Sequence, residues 1–599
     1  MTHSGITSHA YLKRHPDWKS ATLLDVLEFR AQHYGGDDLY DFMEDGEKIS
    51  HSLNAYQLKE QALCIADRLR SLLEPRQRVL LLFNNGLDFI VNFFGCLYAD
   101  LIPVSGVYPD AIDSKKRFST IVRDAKPSAI LGLRNTLSDF YTEKKQIDKN
   151  VIWISSEFEN KKSIYFNIIN KNQEDIAFIQ YTSGTTNVPK GVILTHRNIA
   201  HNIWNQSQAF SYQENDIGLS WLPLSHDMGL IGGALMSLCA GGKFIFMPPQ
   251  KFIEKPLRWL KAIDSYRATI SGGPNFGYQL CLKNINSEEI KNYDLSCWKI
   301  AFNGAEKIDR RTIHGFSEKF AEQGFGISSF FPCYGLAEAT LMVCGGIREQ
   351  EIKFRGFSRE GLSINIVQEP VDEFDVRFIS SCGKIFSEIP VAIMDEVTEE
   401  VLPEDQIGEI WVSGESVSAG YFDKKQETQK KFIHDDYQNV WFRTGDIGCI
   451  FDNELYVVGR RDERVRIGDI FVDHDDVHKI MVDVSYKYLE SNMVFFLLNN
   501  ESGNVVISIV IETHLDNNIN FYEDAQNISL KFKEKFGIKD FCITFVPFGN
   551  IIKTPSGKKC IQETKRKLED GSVRIIKLCN FDFNNYVEDL VFSDRKFIL

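Results

Sequence analysis

The run Tyr181-Thr182-Ser183-Gly184-Thr185-Thr186-Asn187-Val188-Pro189-Lys190-Gly191-Val192 decides how this chain is read. It follows Ile176 to Gln180, an apolar run with the length of a buried strand. Thr182, Ser183, Gly184, Thr185 and Thr186 then stand ahead of Pro189-Lys190-Gly191. Such a segment points successive backbone N–H groups, hydroxyls and one ammonium at a polyphosphate. It is not a Walker loop, because Pro189-Lys190-Gly191 stands where that loop needs Gly-Lys-Ser/Thr. A polar surface turn is the plain alternative. The first ligand class this chain suggests is a nucleoside triphosphate.

Outward from that run, short apolar stretches recur at Arg78–Phe83, Ser128–Leu131, Val151–Ile154, Lys243–Met247, Ala268–Ser271 and Trp298–Phe302. Helical or polar segments separate them, which predicts α/β layers with largely parallel sheets. Ala55 to Leu73 sets Leu58, Ala62, Ile65, Leu69 and Leu72 on one helical face. From about Val376 to Gly459 the texture changes to short strands and glycine turns, and predicts a small antiparallel barrel or sheet. The charged run Gly459 to Arg464 follows, and then a tail with strands at Val505–Glu512 and Phe541–Val546. The expected fold is α/β. A large N-terminal domain over 1–462, of two layered α/β subdomains plus a small β-barrel, is joined to a small α+β C-terminal domain over 463–599.

Composition sets the outer limits. At 599 residues, 43% hydrophobic and 25% charged, the chain has the make-up of a soluble globular protein with room for several domains. A net charge of -14 argues against broad nucleic-acid binding. The cysteines are scattered without a Cys-x-x-Cys pair, which points to reduced thiols in the cytoplasm and to no zinc site. The N-terminus lacks an apolar signal core, and Met228 to Gly242 is too short to be a transmembrane segment.

Further motifs occur in a fixed order: Trp221-Leu222-Pro223-Leu224-Ser225-His226-Asp227-Met228-Gly229, Asn303-Gly304-Ala305-Glu306, Tyr334-Gly335-Leu336-Ala337-Glu338, Arg443-Thr444-Gly445-Asp446, Gly459-Arg460-x-Asp462 and Lys553-Thr554-Pro555-Ser556-Gly557-Lys558. Singly each is weak. Together they resemble the adenylate-forming superfamily of acyl-CoA ligases, luciferases and peptide-synthetase adenylation domains, over roughly Leu23 to Lys567. Within it the likeness is to fatty acyl-AMP ligases. Ser271 to Cys281 looks like their acyl-pocket segment, Ala337 matches their adenine motif, and about Lys353 to Asp375 looks like their insertion. In that family the insertion docks on the large domain and hinders the rotation that admits CoA.

The resemblance implies a set of roles. ATP and Mg²⁺ are the implied cofactors, and a fatty acid is the implied substrate. Thr182 to Thr186 would wrap the β- and γ-phosphates, with Lys190 as a cationic anchor. Glu338, with Thr185, would hold the Mg²⁺. Tyr334 and Gly335 would lie against adenine, opposite Asn303, Gly304 and Ala305. Asp446 would accept from the ribose hydroxyls, with Arg460 beside ribose or phosphate. Asp462 would be the hinge. Lys558 would bridge the substrate carboxylate and the α-phosphate, and His226 would neighbour that carboxylate. Met228, Gly232, Gly273, Asn275 and Phe276 would wall the acyl pocket. The acyl group would pass to the phosphopantetheine arm of a separate acyl carrier protein, typically in polyketide or nonribosomal peptide assembly. An acyl-CoA ligase and a non-catalytic nucleotide-binding protein remain as alternatives. Beyond Asp462 the match loosens: Gly468 comes one position early, and Asp473 or His474 stands where proline is common.

Overall fold

The computed structural model describes residues 14–110, 114–157, 171–182, 189–467, 470–485, 488, 493–499, 505–513, 520–537, 541–552, 559, 561–581 and 586–587. Two parallel-stranded layers form the large domain. In the first, strands run in the order Ile152–Ser155, Ala129–Gly132, Arg78–Leu82, Ile102–Ser105 and Ile176–Tyr181, all parallel, with Gly191–Thr195 closing one edge antiparallel. The second runs parallel from Asp38–Phe42 through Lys243–Phe246, Ile217–Ser220, Ile270–Gly273 and Ile300–Asn303 to Phe330–Gly335. It then continues into the antiparallel strands Met342–Gly345, Val376–Ile385, Glu454–Arg460, Val440–Phe451, Gly408–Ser413 and Val391–Met394. These last strands are the β-rich region expected from the glycine turns. A separate apolar core, Val465 to Cys579, serves the tail. Its sheet has Val505–Thr513 parallel to Phe541–Pro547 and is flanked by the helices His474–Val484 and Phe521–Phe536.

The helix expected over Ala55 to Leu73 begins as predicted and stops early. Asn54 and Gln57 form a reciprocal capping box, and Leu58, Ala62, Ile65 and Leu69 are buried. The helix ends at Arg70, and Leu72 is 43% exposed. The Ser71 hydroxyl donates to the Arg68 carbonyl at 2.7 Å, and Pro75 bars the helical conformation at Glu74. The strand expected at Ala268–Ser271 lies two residues later. Gly272 and Gly273 are inside it because a Cβ on Gly272 would stand 2.2 Å from the Phe302 carbonyl oxygen.

The segment 353–375 leaves the sheet and returns to it. Phe354–Ser358 pairs antiparallel with Val376–Ile385, and the short helix Arg359–Ser363 follows. It is fastened to the large domain by Val367 N–H to Asp405 O (2.8 Å) and Ile407 N–H to Asn365 O (2.9 Å). It also meets the tail: Arg359 lies 3.4 Å from Asp476, Lys479 donates to the Phe374 carbonyl at 3.1 Å, and Arg464 donates to Asn365 at 2.6 Å.

His196 supplies a pH dependence. It is fully buried at the start of the helix His196–Ala209, and its Nδ1 accepts from Leu23 N–H at 3.2 Å. Burial, then the nearby Lys171 charge, depresses it to about 4. The unfolded chain takes up this proton near 6.5, so stability falls as pH drops from about 6.5 to about 4, by on the order of 2–3 kcal/mol. Denaturant unfolding at pH 7 and pH 4.5 should show a smaller drop for His196→Gln than for the unsubstituted chain. Equal drops would contradict this assignment.

Candidate active site

Several motif residues stand at the carboxyl ends of parallel strands in the two sheets. Thr182 follows Ile176–Tyr181, Trp221 follows Ile217–Ser220, Gly304 follows Ile300–Asn303, and Leu336 follows Phe330–Gly335. Ligands of open α/β sheets bind at the carboxyl ends of such strands. Ile176–Tyr181 pairs antiparallel with Gly191–Thr195, and Thr182 N–H donates to Lys190 O at 3.1 Å. Ser183, Gly184, Thr185 and Thr186 lie outside the described residues, as does Lys558.

At the nucleoside end, the Tyr334 hydroxyl donates to Asp446 Oδ2 at 2.7 Å, and Arg460 Nη1 lies 3.3 Å from Asp446 Oδ1. Burial first, then Asp446, raises the Tyr334 hydroxyl well above its ordinary value, so it stays a donor. Asp446 is set by its own chain: its N–H donates to Thr444 Oγ1 at 2.9 Å, and that hydroxyl donates to the Ile410 carbonyl at 2.7 Å. Asn303 is fully buried, and its Oδ1 has no hydrogen-bond partner. A Cβ on Gly304 would stand 2.6 Å from the Cys333 carbonyl oxygen, and Ala305 holds a left-handed φ of 66°. The orphaned amide oxygen of Asn303 is an acceptor that a ligand N–H would satisfy. Arg460 also reaches Asp462, the expected hinge, at 3.1 Å.

At the phosphate end, sequence reasoning missed two partners. Tyr421 donates its hydroxyl to Glu338 Oε1 at 2.6 Å. Lys190 lies 5.0 Å from the centre of the Tyr421 ring and 2.5 Å from Glu427. Tyr421 follows Gly420, whose φ of 111° turns the chain here, but nothing in the residue types assigns it to Glu338. Among the described residues no group of three His, Cys, Asp or Glu gathers to hold a metal. A hard cation at Glu338 therefore needs phosphate oxygens as well, and one carboxylate suits that donor set. Glu427 holds the ammonium that the sequence assigns to phosphate. Glu427→Gln should tighten pyrophosphate binding about threefold in calorimetry, the scale of a partly exposed ion pair; unchanged or weaker binding would contradict it.

His226 caps the helical turn Asp227–Gly229, with Nδ1 2.6 Å from Asp227 Oδ1. The loop before it is pinned by Asn85, which donates to Leu222 O (3.0 Å) and accepts from Leu224 N–H (2.8 Å), and by Gln180, which donates to Ser225 O (3.0 Å). Behind His226 the chain makes one wide π turn, Leu230–Leu235, of the kind found at functional sites. An apolar cavity opens beside it, lined by Met228, Gly232, Gly233, Met236, Phe244 and Phe302 among others. Met228 and Gly232, two of the residues expected to wall an acyl pocket, line this cavity. Gly273, Asn275 and Phe276 stand outside the lining. Trp221 covers Gly273, where a Cβ would meet its ring at 2.7 Å, and meets the Phe276 ring edge-on at 5.7 Å. Asn275 is buried and accepts from Asp309 N–H at 3.2 Å and from Asn303 Nδ2 at 3.4 Å.

The tail is latched to the large domain. Arg377, 7% exposed, pairs with Asp473 and lies 2.9 Å from Asp475, while Lys307 also pairs with Asp475. Asp473 caps the helix His474–Val484, accepting from Asp476 N–H at 3.1 Å. The departure from proline at this point thus gives a cap and an ion pair.

The two-layered α/β fold that carries the Tyr334–Asp446–Arg460 cluster and the Tyr421–Glu338 contact is that of an adenylate-forming enzyme. A family model described as AMP-binding enzyme matches residues 28–422, and the chain belongs to that family. It is 33% identical over 580 residues to a medium-chain-fatty-acid–[acyl-carrier-protein] ligase, JamA, of Moorena producens, covering 92% of this chain and 96% of that one. Among solved structures it resembles a fatty acid AMP ligase from Legionella pneumophila, with a TM-score of 0.72, 31% identity, and 94% of this chain and 99% of the other covered. A fatty acyl-adenylate ligase from L. pneumophila in complex with acyl adenylate and pyrophosphate gives a TM-score of 0.71 at 30% identity, with coverage of 95% and 99%. No helix among the described residues is long and apolar enough to cross a membrane.

Proposed function

We propose that the chain joins a medium- or long-chain fatty acid to AMP, using ATP and releasing pyrophosphate, and then passes the acyl group to the phosphopantetheine thiol of a separate acyl carrier protein in a polyketide or nonribosomal peptide pathway. The observation that carries this reading is the Tyr334–Asp446–Arg460 cluster in a chain that also holds an apolar cavity lined by Met228 and Gly232, a few residues past His226 in sequence. Asp446 holds the ribose and the Asn303–Ala305 backbone flanks adenine. Lys190 anchors the β- and γ-phosphates. Glu338 and Thr185 would hold Mg²⁺, which would supply positive charge to offset that of the phosphates. His226 stands at the acid's carboxylate, and Lys558 closes over the carboxylate and α-phosphate from the tail, stabilising charge that concentrates in the transition state. The contacts of 353–375 with the tail at Asp476, Lys479 and Arg464 support an insertion that restrains the swing toward CoA. The test is fatty-acid-dependent exchange of pyrophosphate into ATP, followed by acyl transfer to a phosphopantetheinylated carrier. Efficient formation of acyl-CoA by the intact chain would favour the CoA ligase alternative.

A further inference from the structure

One partly buried cation is left unused by that scheme. Lys431 ends the helix Lys425–Lys431, within a lysine-rich stretch that reads as a solvated face. Its neighbour in sequence Lys430 is exposed, and Lys424 pairs with Asp124 at 2.6 Å. Lys431 instead turns inward and is partly buried. Its Nζ donates to the Arg443 carbonyl at 3.0 Å and lies 3.4 Å from where a Cβ on Gly445 would stand. That same point is 3.9 Å from Arg460 Nη2, so two cations border the glycine that precedes Asp446. No carboxylate among the described residues comes within ion-pair distance of Lys431. The charged groups around it are Glu409, Arg443, Glu338 and Arg460. Glu409 is already held by Arg443 at 3.1 Å and by Arg461 at 3.3 Å. Burial pulls the Lys431 ammonium below its ordinary value. A desolvated ammonium without a counter-charge is unfavourable, and an anionic ligand removes that cost.

The position of the anion follows from the nucleotide. Ribose at Asp446 and metal-bound phosphates at Glu338 leave the α-phosphate as the group that joins them. We propose that Lys431 is a nucleotide-binding residue whose ammonium contacts the α-phosphate from the large domain, both in ATP and in the acyl-adenylate. It makes and breaks no covalent bond. It gives the α-phosphate a fixed cation that stays in place when the tail moves. This inference rests on the proposed placement of ribose at Asp446.

The experiment titrates AMP and adenosine into the full chain by calorimetry, for the unsubstituted protein, Lys431→Gln, Lys431→Arg and Asp446→Ala. Lys431→Gln should bind AMP about tenfold more weakly, the scale of one charge-assisted hydrogen bond. It should bind adenosine within about twofold of the unsubstituted protein, and Lys431→Arg should recover most of the AMP affinity. Unchanged AMP affinity in Lys431→Gln overturns the proposal. Equal losses for AMP and adenosine also overturn it, because they report a packing role. Asp446→Ala should weaken both ligands. If it weakens neither, the ribose placement itself fails, and the role of Lys431 fails with it.

Discussion

Glu338→Gln is expected to lower fatty-acid-dependent exchange of pyrophosphate into ATP by about a hundredfold or more, the scale of losing one preorganised electrostatic partner. The amide keeps the size and the acceptor oxygen that Tyr421 Oη reaches at 2.6 Å, and the backbone carbonyl of residue 338 still accepts from Ser418 N–H at 2.8 Å. The fold around the site should therefore hold. What is lost is the negative charge that a divalent cation requires. Raising Mg²⁺ should recover part of the rate, since a weakened site fills at higher concentration. Equilibrium titration with Mg²⁺ and a non-hydrolysable ATP analogue separates binding from chemistry. Full activity of Glu338→Gln at low Mg²⁺ would remove this residue from the metal site.

Arg377→Met should undock the tail. The guanidinium is buried at the seam, facing Asp473, Asp475 and Asp476, and it also donates to the Val458 carbonyl at 2.8 Å. Coulombic attraction from these carboxylates holds Arg377 above its ordinary value, against the effect of burial. Arg377, as the leading attraction, holds Asp473 and Asp475 below theirs. Removing one partner of a buried pair leaves its carboxylates without compensation, at about 3 kcal/mol or more. Lys307 and Lys535, the latter 2.8 Å from Asp476, compensate only part of that charge. Small-angle scattering should show a larger radius of gyration, and limited proteolysis should cut near Asp462 sooner. An unchanged scattering profile would mean that contacts other than these ion pairs hold the tail.

The layers of the large domain were legible because buried parallel strands read as continuous apolar runs between helical segments. The end of the first long helix was not, since Leu72 keeps the helical period while Ser71 and Pro75 stop the backbone. The strand Ile270–Gly273 was misplaced because its two glycines answer to residues distant in sequence, Phe302 at Gly272 and Trp221 at Gly273. The residues assigned to the nucleoside stood out as motifs, Tyr334 near the end of its strand and Asp446 in the middle of Val440–Phe451. The phosphate-end partners were not: Tyr421 meets Glu338 across 83 residues of sequence, and no local pattern encodes that contact. Lys431 looks like its exposed lysine neighbours until the helix shows which way it faces. Gly273, Asn275 and Phe276 carry the small and apolar character of a pocket wall, yet Trp221 and Asn303 take up their contacts.

The central claim is that fatty acid and nucleotide meet in one site as a mixed anhydride. Mass spectrometry of the products from ATP, Mg²⁺ and a ladder of fatty acids, without CoA, tests it most directly. The account expects acyl-adenylate and pyrophosphate, most abundant for medium or long chains, and loss of the acyl-adenylate when a phosphopantetheinylated carrier is added. Release of AMP with no acyl-adenylate at any chain length, or no consumption of ATP at all, would contradict it.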